Sequence, residues 1–279
     1  MDMTNIATFG VAGNFTGHLE QAGEAFDFKN VQTAEVNAPK AIFPTYLPKG
    51  NGTTTPNFLH TFPFKNDIII FPKDEEKLQI EPECALVFDA IWEDEKLVDL
   101  KPLMFGASND CSIRKQGAKK ISEKKNWCEA SKGFAENKIA IDSFTKGCIL
   151  DNYRIASFLI RDGVAYPYGE DSAVRDYSYI YEKLIKWMLD KFNNQKNEGP
   201  AEDIHSYLVE SGCPKQIMVS IGATRYTDWG EHNFLQDGDK AVVIVYPEDK
   251  YNKEDIKKMA ETNDTSDTSV SILCQTIKL

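Results

Sequence analysis

The sequence predicts a mixed, largely β domain with a few helices, and three observations support this prediction. Seven short runs are rich in β-branched and aromatic residues and are separated by clusters of Gly, Pro, Asn and Asp. Clear helical periodicity is confined to segments 177–192 and 201–210, with a weaker third at 18–26. Because strands and helices do not alternate regularly, a doubly wound parallel sheet is not expected.

Each predicted element has a local signal. The predicted strands span residues 6–11, 67–71, 84–91, 155–160, 216–221, 241–246 and 269–277. Pro82 precedes the third of these runs and favours an edge or irregular strand over a central one, since proline donates no ladder hydrogen bond. In the helix at 177–192, Leu184 and Met188 share one face, and Gly212 ends the helix at 201–210.

Composition and charge exclude several classes of protein. The chain has 279 residues, of which 42% are hydrophobic and 27% charged, as in ordinary globular proteins. Its 32 basic and 43 acidic residues give a net charge of −11, which argues against nucleic-acid binding. No apolar run approaches a membrane span, and the N-terminus lacks a signal-peptide pattern. A cytoplasmic location is therefore expected.

The six cysteines do not predict a metal or redox motif. No two of them lie within three residues of each other, so the sequence has no CxxC pair. In a cytoplasmic protein they are expected to be reduced thiols. A zinc enzyme built from scattered Cys and His is correspondingly disfavoured.

Glu81 and Glu83 are the first candidates for a functional site. Residues two apart on a strand point to the same face, so both carboxylates converge where the apolar run at 84–91 begins. Adjacent carboxylates repel unless a cation or a proton lies between them. One interpretation is a site for Mg²⁺ or Mn²⁺, which prefer oxygen ligands. The alternative is a solvated acidic turn.

Two further segments carry candidate residues. Asp110 ends an apolar stretch and is either a ligand or a turn residue that makes local hydrogen bonds. The segment 114–132 contains seven basic residues. It is either a lid that attracts anions to an acidic protein or a solvated helix.

The order of six short motifs resembles that of the fumarylacetoacetate hydrolase superfamily over residues 6–246. That family shows NYxxHxxE, ExEL, NDxSxR, GKGF, a TGTP-like turn and an LxxGD turn. The corresponding segments here are NFTGH at 14–18, EPEC at 81–84, NDCSIR at 109–114, SKGF at 131–134, GAT at 222–224 and LQDGD at 235–239.

The resemblance implies a role for each matched residue. Glu81, Glu83 and Asp110 correspond to the carboxylate ligands of a Mg²⁺ or Mn²⁺ ion. Lys132 corresponds to the lysine that faces the substrate, and His18 to the histidine of a lid helix that activates water with an acid partner. The positions that line the substrate pocket correspond to Asn14, Arg114, Gln116 and Thr224.

Two departures from the family pattern affect this assignment. The acid three residues after the histidine is replaced by a glutamine, and Glu20 lies one position early. On a helix, residues i and i+2 do not face each other, so a dyad of His18 and Glu20 is in doubt. Gln116 likewise lies one position before the family glutamine. The pocket is therefore expected to differ from that of the family.

The fold and function follow from the resemblance as expectations. The fold class is α+β, mainly β, with a mixed β-roll or barrel-like core in one domain over residues 1–279. That domain would comprise an N-terminal segment with the lid helix (1–60), the catalytic core (61–250) and a C-terminal linker and strand (251–279). The expected protein is a homodimeric hydrolase or lyase.

The expected substrate is a small anionic 2-oxo acid, whose C–C bond reacts through a metal-stabilised enolate. Acylpyruvate hydrolysis, oxaloacetate-type decarboxylation and isomerisation remain open. The alternative is a catalytically inactive relative that binds a metal or a metabolite.

Overall fold

Two β-sheets form the framework of the protein. The structure, a computed structural model, describes residues 2–25, 28, 33, 35–50, 52–75, 77–115 and 117–279. The strands are β1 (Ala7–Ala12), β2 (Ala41–Tyr46), β3 (Ile68–Ile70), β4 (Leu78–Gln79), β5 (Pro82–Glu93), β6 (Lys96–Asn109), β7 (Ser112–Ile113), β8 (Gly133–Phe134), β9 (Ile139–Ala140), β10 (Tyr153–Arg161), β11 (Val164–Ala173), β12 (Gln216–Ser220), β13 (Lys240–Pro247) and β14 (Ser271–Lys278).

The sheets differ in size and in strand order. The larger has the order β2-β1-β12-β5-β6-β8, with β9 also paired to β6. The second has the order β11-β10-β13-β14-β3, and β4 pairs with β7 in a short separate ladder. One continuous apolar core joins the sheets, with Leu86 and Phe105 from the first and Val243 and Leu273 from the second. The mainly β fold class predicted from the sequence is confirmed.

Short helices cover the sheets. The α-helices are α1 (His18–Gln21), α2 (Tyr181–Asn194), α3 (Ile204–Glu210), α4 (Asp228–His232) and α5 (Lys253–Thr262). The 3₁₀ turns are Met3–Asn5, Asn57–His60, Ile121–Lys124, Ile149–Asn152 and Val174–Asp176. Helix α2 buries Leu184 and Met188, the stripe predicted from the sequence, against the common core. Each helix in the described part of the chain is too short or too polar for a transmembrane span.

All seven predicted strands are present, with ends shifted by up to two residues. The described residues contain seven further strands that were not predicted: four have only two residues each, and the longer three are β2, β6 and β11. β2 and β11 are edge strands that contain Pro44 and Pro167, and proline is tolerated at a sheet edge. β6 begins with a mixture of charged and apolar residues that hid its period. The edge position inferred from Pro82 was wrong, because β5 lies between β12 and β6 and Pro82 is only its first residue. The pairing of β5 with β6 is irregular, however, with register shifts at Val87/Phe88 and Ile91/Trp92.

The helix predictions also need correction. Helix α5 lies where only a linker and a strand were predicted; it begins with a capping box of Asn252 and Asp255 and buries Ile256 and Ala260. The weak helix predicted at 18–26 begins at His18 and ends at Gln21, and the predicted end at position 26 lies outside the described residues.

The segment 114–132 is not a solvated helix. The described residues of this segment form one 3₁₀ turn, Ile121–Lys124, and four of the five residues from 121 to 125 are buried. Asn126 fastens the segment to the sheet by donating to the carbonyl oxygens of Thr45 (2.8 Å) and Thr61 (2.9 Å). The Ser122 hydroxyl donates to Glu202 Oε1 at 2.6 Å, just before helix α3.

The buried carboxyl of Glu202 makes stability depend on pH. Burial raises its pKa to about 7, and this exceeds the opposing effect of the Ser122 hydrogen bond. A carboxyl with a raised pKa in the folded state stabilises the fold fully below its unfolded pKa, and this contribution is lost as pH rises to the folded pKa. The Glu202→Gln variant should therefore match the wild type near pH 4.5 and exceed it by up to about 3 kcal/mol at pH 8.

Chemical denaturation at the two pH values, with the metal chelated, measures this difference. The control is Glu198→Gln, which changes an exposed carboxyl four residues earlier. A Glu202→Gln variant no more stable than wild type at pH 8 contradicts the assignment.

Candidate metal centre

The site forms in the larger sheet, where the ends of four neighbouring strands, β12, β5, β6 and β8, lie side by side. In the β5–β6 ladder, Pro82 pairs with Asn109, so the preceding Glu81 and the following Asp110 lie side by side. The Asp110 amide donates to the Glu81 carbonyl at 3.0 Å. Beyond them the chain pairs again as β4 and β7. The two carboxylates therefore occupy a short break between two antiparallel ladders.

The flanking strands add the other groups. On the far side of β6, Asn109 pairs with Gly133 of β8, which places Lys132 next to Asp110. On the far side of β5, the loop after β12 runs alongside, and the Gly222 amide donates to Glu83 Oε2 at 2.6 Å. Gly222 has φ +123°, a conformation that side chains disfavour, so glycine lets this amide reach the carboxylate.

Three buried carboxylates converge at these strand ends. Glu81, Glu83 and Asp110 each offer an oxygen, and the three oxygens lie within 4.8 Å of one another. Burial raises the pKa of Glu83 well above its ordinary value, and the charges of Asp110 and Glu81 raise it further. For Glu81 burial acts in the same direction, but Lys125 and Arg114 outweigh it and lower the pKa. The alternative of solvated acidic turns is excluded for these residues.

Lysine ammonium groups lie directly on the carboxylates. Lys125 Nζ is 2.5 Å from Glu81 Oε2 and 2.8 Å from Asp110 Oδ2. Lys132 Nζ is 3.1 Å from Asp110 Oδ1 and also donates to the Cys111 carbonyl. Burial lowers the pKa of Lys132, while Asp110 acts in the opposite direction. Both side chains are almost completely buried.

The guanidinium of Arg114 contacts several protein side chains. Nη2 lies 2.8 Å from Glu81 Oε1 and donates to the Tyr226 hydroxyl at 2.7 Å. Nη1 lies 2.8 Å from Glu24 Oε1, and Nε donates to Gln79 Oε1 at 2.7 Å. The guanidinium thus orients the carboxylates, and a substrate would have to compete with these partners.

His18 lies at the start of α1 and faces the same centre. Its Nδ1 is 2.9 Å from the Thr224 carbonyl, an acceptor, so Nδ1 carries the proton and Nε2 has a free lone pair. Burial lowers the pKa of His18, which keeps the ring neutral, while Glu81 acts in the opposite direction. His18, Glu81, Glu83 and Lys125 line one enclosed space of about 10 Å³.

Three other residues were predicted to belong to the site: Glu20, Asn14 and Gln116. The Glu20 side chain is exposed, and His18 is oriented by the Thr224 carbonyl rather than by an acid, because positions i and i+2 diverge on a helix. Asn14 bonds the backbone of Tyr179 and Ile221 and supports the loop around the site. Gln116 lies outside the described residues.

Several residues of the site were missed in the sequence. Glu24 lies six positions after His18 and is buried against Arg114 and Lys124, the latter at 2.7 Å. In the sequence, Lys125 is one of seven basic residues in 114–132, and nothing distinguishes it from the others. Nothing in the residue pattern separates these lysines from exposed ones, because their burial depends on contacts with distant strands.

A larger cavity lies beside the centre. It has a volume of about 780 Å³ and is within the usual range for small-molecule sites. Arg114, Glu24 and Lys124 form its boundary with the carboxylates, and Lys77 and Lys115 add positive charge to its wall. An anionic molecule of metabolite size could lie there.

The carboxylate set fits a hard divalent cation. Octahedral oxygens about 2.1 Å from Mg²⁺ lie about 3–4 Å apart, so the three carboxylates need to move only slightly. Glu81 Oε1 and Asp110 Oδ2 accept no hydrogen bond from described residues, although a cation lies 2.8 Å from each. A bound metal would accept these lone pairs, and its positive charge would offset the repulsion that raises the pKa of Glu83.

Replacing Glu83 tests the metal site. Glu83→Gln should weaken Mn²⁺ binding by at least about 100-fold, because it removes a ligand without changing side-chain volume. In wild type, Mn²⁺ at 100 times its Kd should stabilise the fold by about 2.7 kcal/mol. The variant should lose this shift in thermal unfolding while folding normally in chelator.

The matched control is Asp89→Asn, on the same strand and bonded to Gln216 away from the site. It should keep the full Mn²⁺ shift. Persistence of that shift in Glu83→Gln would place the metal elsewhere.

The chain is similar to a protein family and to several solved structures. The model of a family of unknown function, DUF5718, matches residues 24–277. No curated protein matches in sequence. Among solved structures, Cg1458 in complex with an inhibitor is similar, with a TM-score of 0.57 and 14% identity over 98% of this chain and 76% of that chain.

Two other solved structures have named activities. A 2-keto-3-deoxy-D-arabinonate dehydratase complexed with magnesium and 2,5-dioxopentanoate has a TM-score of 0.53 and 14% identity, over 98% of this chain and 72% of that one. A 5-carboxymethyl-2-hydroxymuconate delta-isomerase from Mycobacterium smegmatis has a TM-score of 0.52 and 13% identity, over 98% and 78%. At such identities the likeness is one of fold.

Proposed function

Because the chain belongs to the DUF5718 family and has the fold of the fumarylacetoacetate hydrolase superfamily, we propose that it is a divalent-metal-dependent enzyme acting on a small 2-oxo acid. The observation that carries the proposal is the convergence of Glu81, Glu83 and Asp110 where strands β5 and β6 end. The solved structures of similar fold support it, since they include a dehydratase with bound magnesium and an isomerase.

Each residue has a role in this proposal. Glu81, Glu83 and Asp110 would hold Mg²⁺ or Mn²⁺, which when bound supplies Lewis-acid stabilisation of negative charge on substrate oxygens. Lys132, beside Asp110, would donate a hydrogen bond to an anionic oxygen of the substrate. The Thr224 hydroxyl is buried without a partner among the described residues, so it is available for a second hydrogen bond to the substrate. The 780 Å³ cavity would hold the rest of the substrate.

His18 is the proposed general base. Its Nδ1–H is fixed on the Thr224 carbonyl, so the neutral ring presents Nε2 to accept a proton. If the reaction is hydrolysis of an acylpyruvate, His18 takes the proton from the attacking water. If it is decarboxylation, isomerisation or dehydration, the same atom handles a proton of the substrate. Glu20, exposed in the structure, is not included in this mechanism.

A screen of 2-oxo acids tests the function directly. Purified protein with Mg²⁺ or Mn²⁺ would be incubated with acylpyruvates, oxaloacetate and 2-keto-3-deoxy sugar acids, and products followed by NMR. Turnover that disappears in chelator and in Glu83→Gln supports the proposal. Failure of every substrate to react, with the metal bound, contradicts an enzyme of this class.

A variant of Lys132 tests its contact with substrate. Oxalate mimics the enolate of pyruvate and should bind the Mn²⁺-loaded protein. Lys132→Met should raise the Kd of oxalate by at least about tenfold and that of Mn²⁺ by less, because a charge-assisted hydrogen bond to the anion is lost. Calorimetry gives both constants, and the exposed Lys146→Met is the control. Equal oxalate affinity in Lys132→Met and wild type rules out the contact.

A variant of His18 tests its role as base. On a substrate found by the screen, His18→Gln should lower kcat by about 10²–10⁴, as is typical of a lost general base. Oxalate and Mn²⁺ affinities should stay within about threefold of wild type, since His18 contacts neither in this proposal. An unchanged kcat would assign the proton transfer to another group.

A second candidate function is a binding protein without turnover. The observation that favours it is the arrangement of Lys125 and Arg114, which already neutralise two of the carboxylates. In that case metal and oxalate bind but no 2-oxo acid reacts.

The homodimer implied by the family resemblance remains part of the proposal, and sedimentation analysis measures it.

A further inference from the structure

Lys125 occupies a position that a metal held by the carboxylates would need. Its ammonium lies 2.5 Å from Glu81 Oε2 and 2.8 Å from Asp110 Oδ2, two of the three carboxylate side chains that converge. We propose that Lys125 is a built-in counter-cation which a divalent metal must displace, so that metal binding releases Lys125 from the centre. This inference rests on the proposed metal site and extends it to a residue outside the family motifs.

The first argument is space. The enclosed volume among His18, Glu81, Glu83 and Lys125 is about 10 Å³. That is about the minimum that one water molecule needs. A Mg²⁺ ion usually keeps several waters or exchanges them for substrate oxygens, and each of these needs room of its own. With Lys125 in place, the described residues leave room beside the ammonium group for about one water molecule, and not for an ion with several further ligands.

The second argument is charge. With Glu83 ionised, as a metal ligand must be, the charged side chains of the centre balance, with four carboxylates and four cations: Glu24, Glu81, Glu83 and Asp110 against Arg114, Lys124, Lys125 and Lys132. A divalent ion added to this set would leave two uncompensated positive charges in a buried place, which is strongly unfavourable. Withdrawing Lys125 removes one of them, and an anionic substrate offsets the remainder.

The third argument is the way Lys125 is attached. It follows the 3₁₀ turn Ile121–Lys124, which is not part of either sheet. Ser122 and Asn126 hold the turn through side-chain hydrogen bonds, and the apolar Ile121 belongs to a small separate cluster rather than to the main core. A rotation of the Lys125 side chain, with adjustment of this turn, would therefore leave the sheets unchanged.

Displacement predicts that removing the competitor strengthens metal binding. The apparent affinity of a site is reduced by the fraction of molecules in which it is blocked. Lys125→Met keeps the unbranched apolar part of the side chain and removes the charged end, so Mn²⁺ should bind on the order of tenfold more tightly than to wild type, or better. Lys119→Met, the same change at an exposed position of the same segment, should bind Mn²⁺ as wild type does.

The titration uses the full chain and calorimetry, with Glu83→Gln identifying the site. If Lys125→Met and wild type bind Mn²⁺ equally and Glu83→Gln does not, the metal site stands and the displacement is overturned. Weaker binding by Lys125→Met overturns it as well, because Lys125 would then support the metal. Binding by Lys125→Met but not by wild type would mean that Lys125 blocks the site and no metal displaces it, which overturns the displacement and contradicts the metal-dependent function. If neither binds, both proposals fail.

A second measurement needs no variant, in case Lys125→Met does not fold. The wild-type protein would be treated briefly with an amine-acetylating reagent, with and without Mn²⁺, and the modified lysines identified by mass spectrometry. Release predicts that acetylation of Lys125 increases several-fold with Mn²⁺, while exposed Lys119 is unchanged. If Mn²⁺ binds and Lys125 stays protected, Lys125 remains in the centre and the proposal is wrong.

Discussion

The whole site depends on the need to compensate buried carboxylates. A carboxylate removed from water is very unfavourable unless cations or hydrogen-bond donors surround it. Here Glu81 and Asp110 lie in a break between two ladders, and Arg114, Lys125 and Lys132 of the segment 114–132 converge on them. Because one segment supplies these cations and the ends of β5 and β6 supply the carboxylates, the contacts also hold that segment over the site.

Much of the fold was predictable because burial on both faces leaves a strong pattern in sequence. The strand β13 is buried from Ala241 onwards, and its near-continuous apolar run identifies it without help from the rest of the chain. The edge strands β2 and β11 contain proline, and the polar helix α5 contacts the core through a few residues only, so their patterns were weak. Those elements are determined by their neighbours rather than by their own sequence.

The site was predictable in part for the same kind of reason. Glu81 and Glu83 share a face because of strand geometry, which the sequence reveals. Motif order associated Asp110, Lys132 and His18 with them, although the sequence shows no distance between the segments. Lys125 and Glu24 could not be found this way, since their roles come from contacts over 44 and 90 residues of chain. Glu20 was chosen by proximity in sequence, whereas His18 is oriented by a backbone carbonyl.

The register of the β5–β6 hairpin has a consequence for how such a protein can change during evolution. The two strands are joined by a tight turn at Asp94 and Glu95, and irregularities at Val87/Phe88 and Ile91/Trp92 already interrupt the pairing. Insertions near the turn can be absorbed at these points without reaching the site. A one-residue slip beyond them would turn Glu83 to the opposite face and separate Glu81 from Asp110. Divergence can therefore be extensive in one half of the hairpin, while a single deletion in the other half would erase the centre without altering any of its residues.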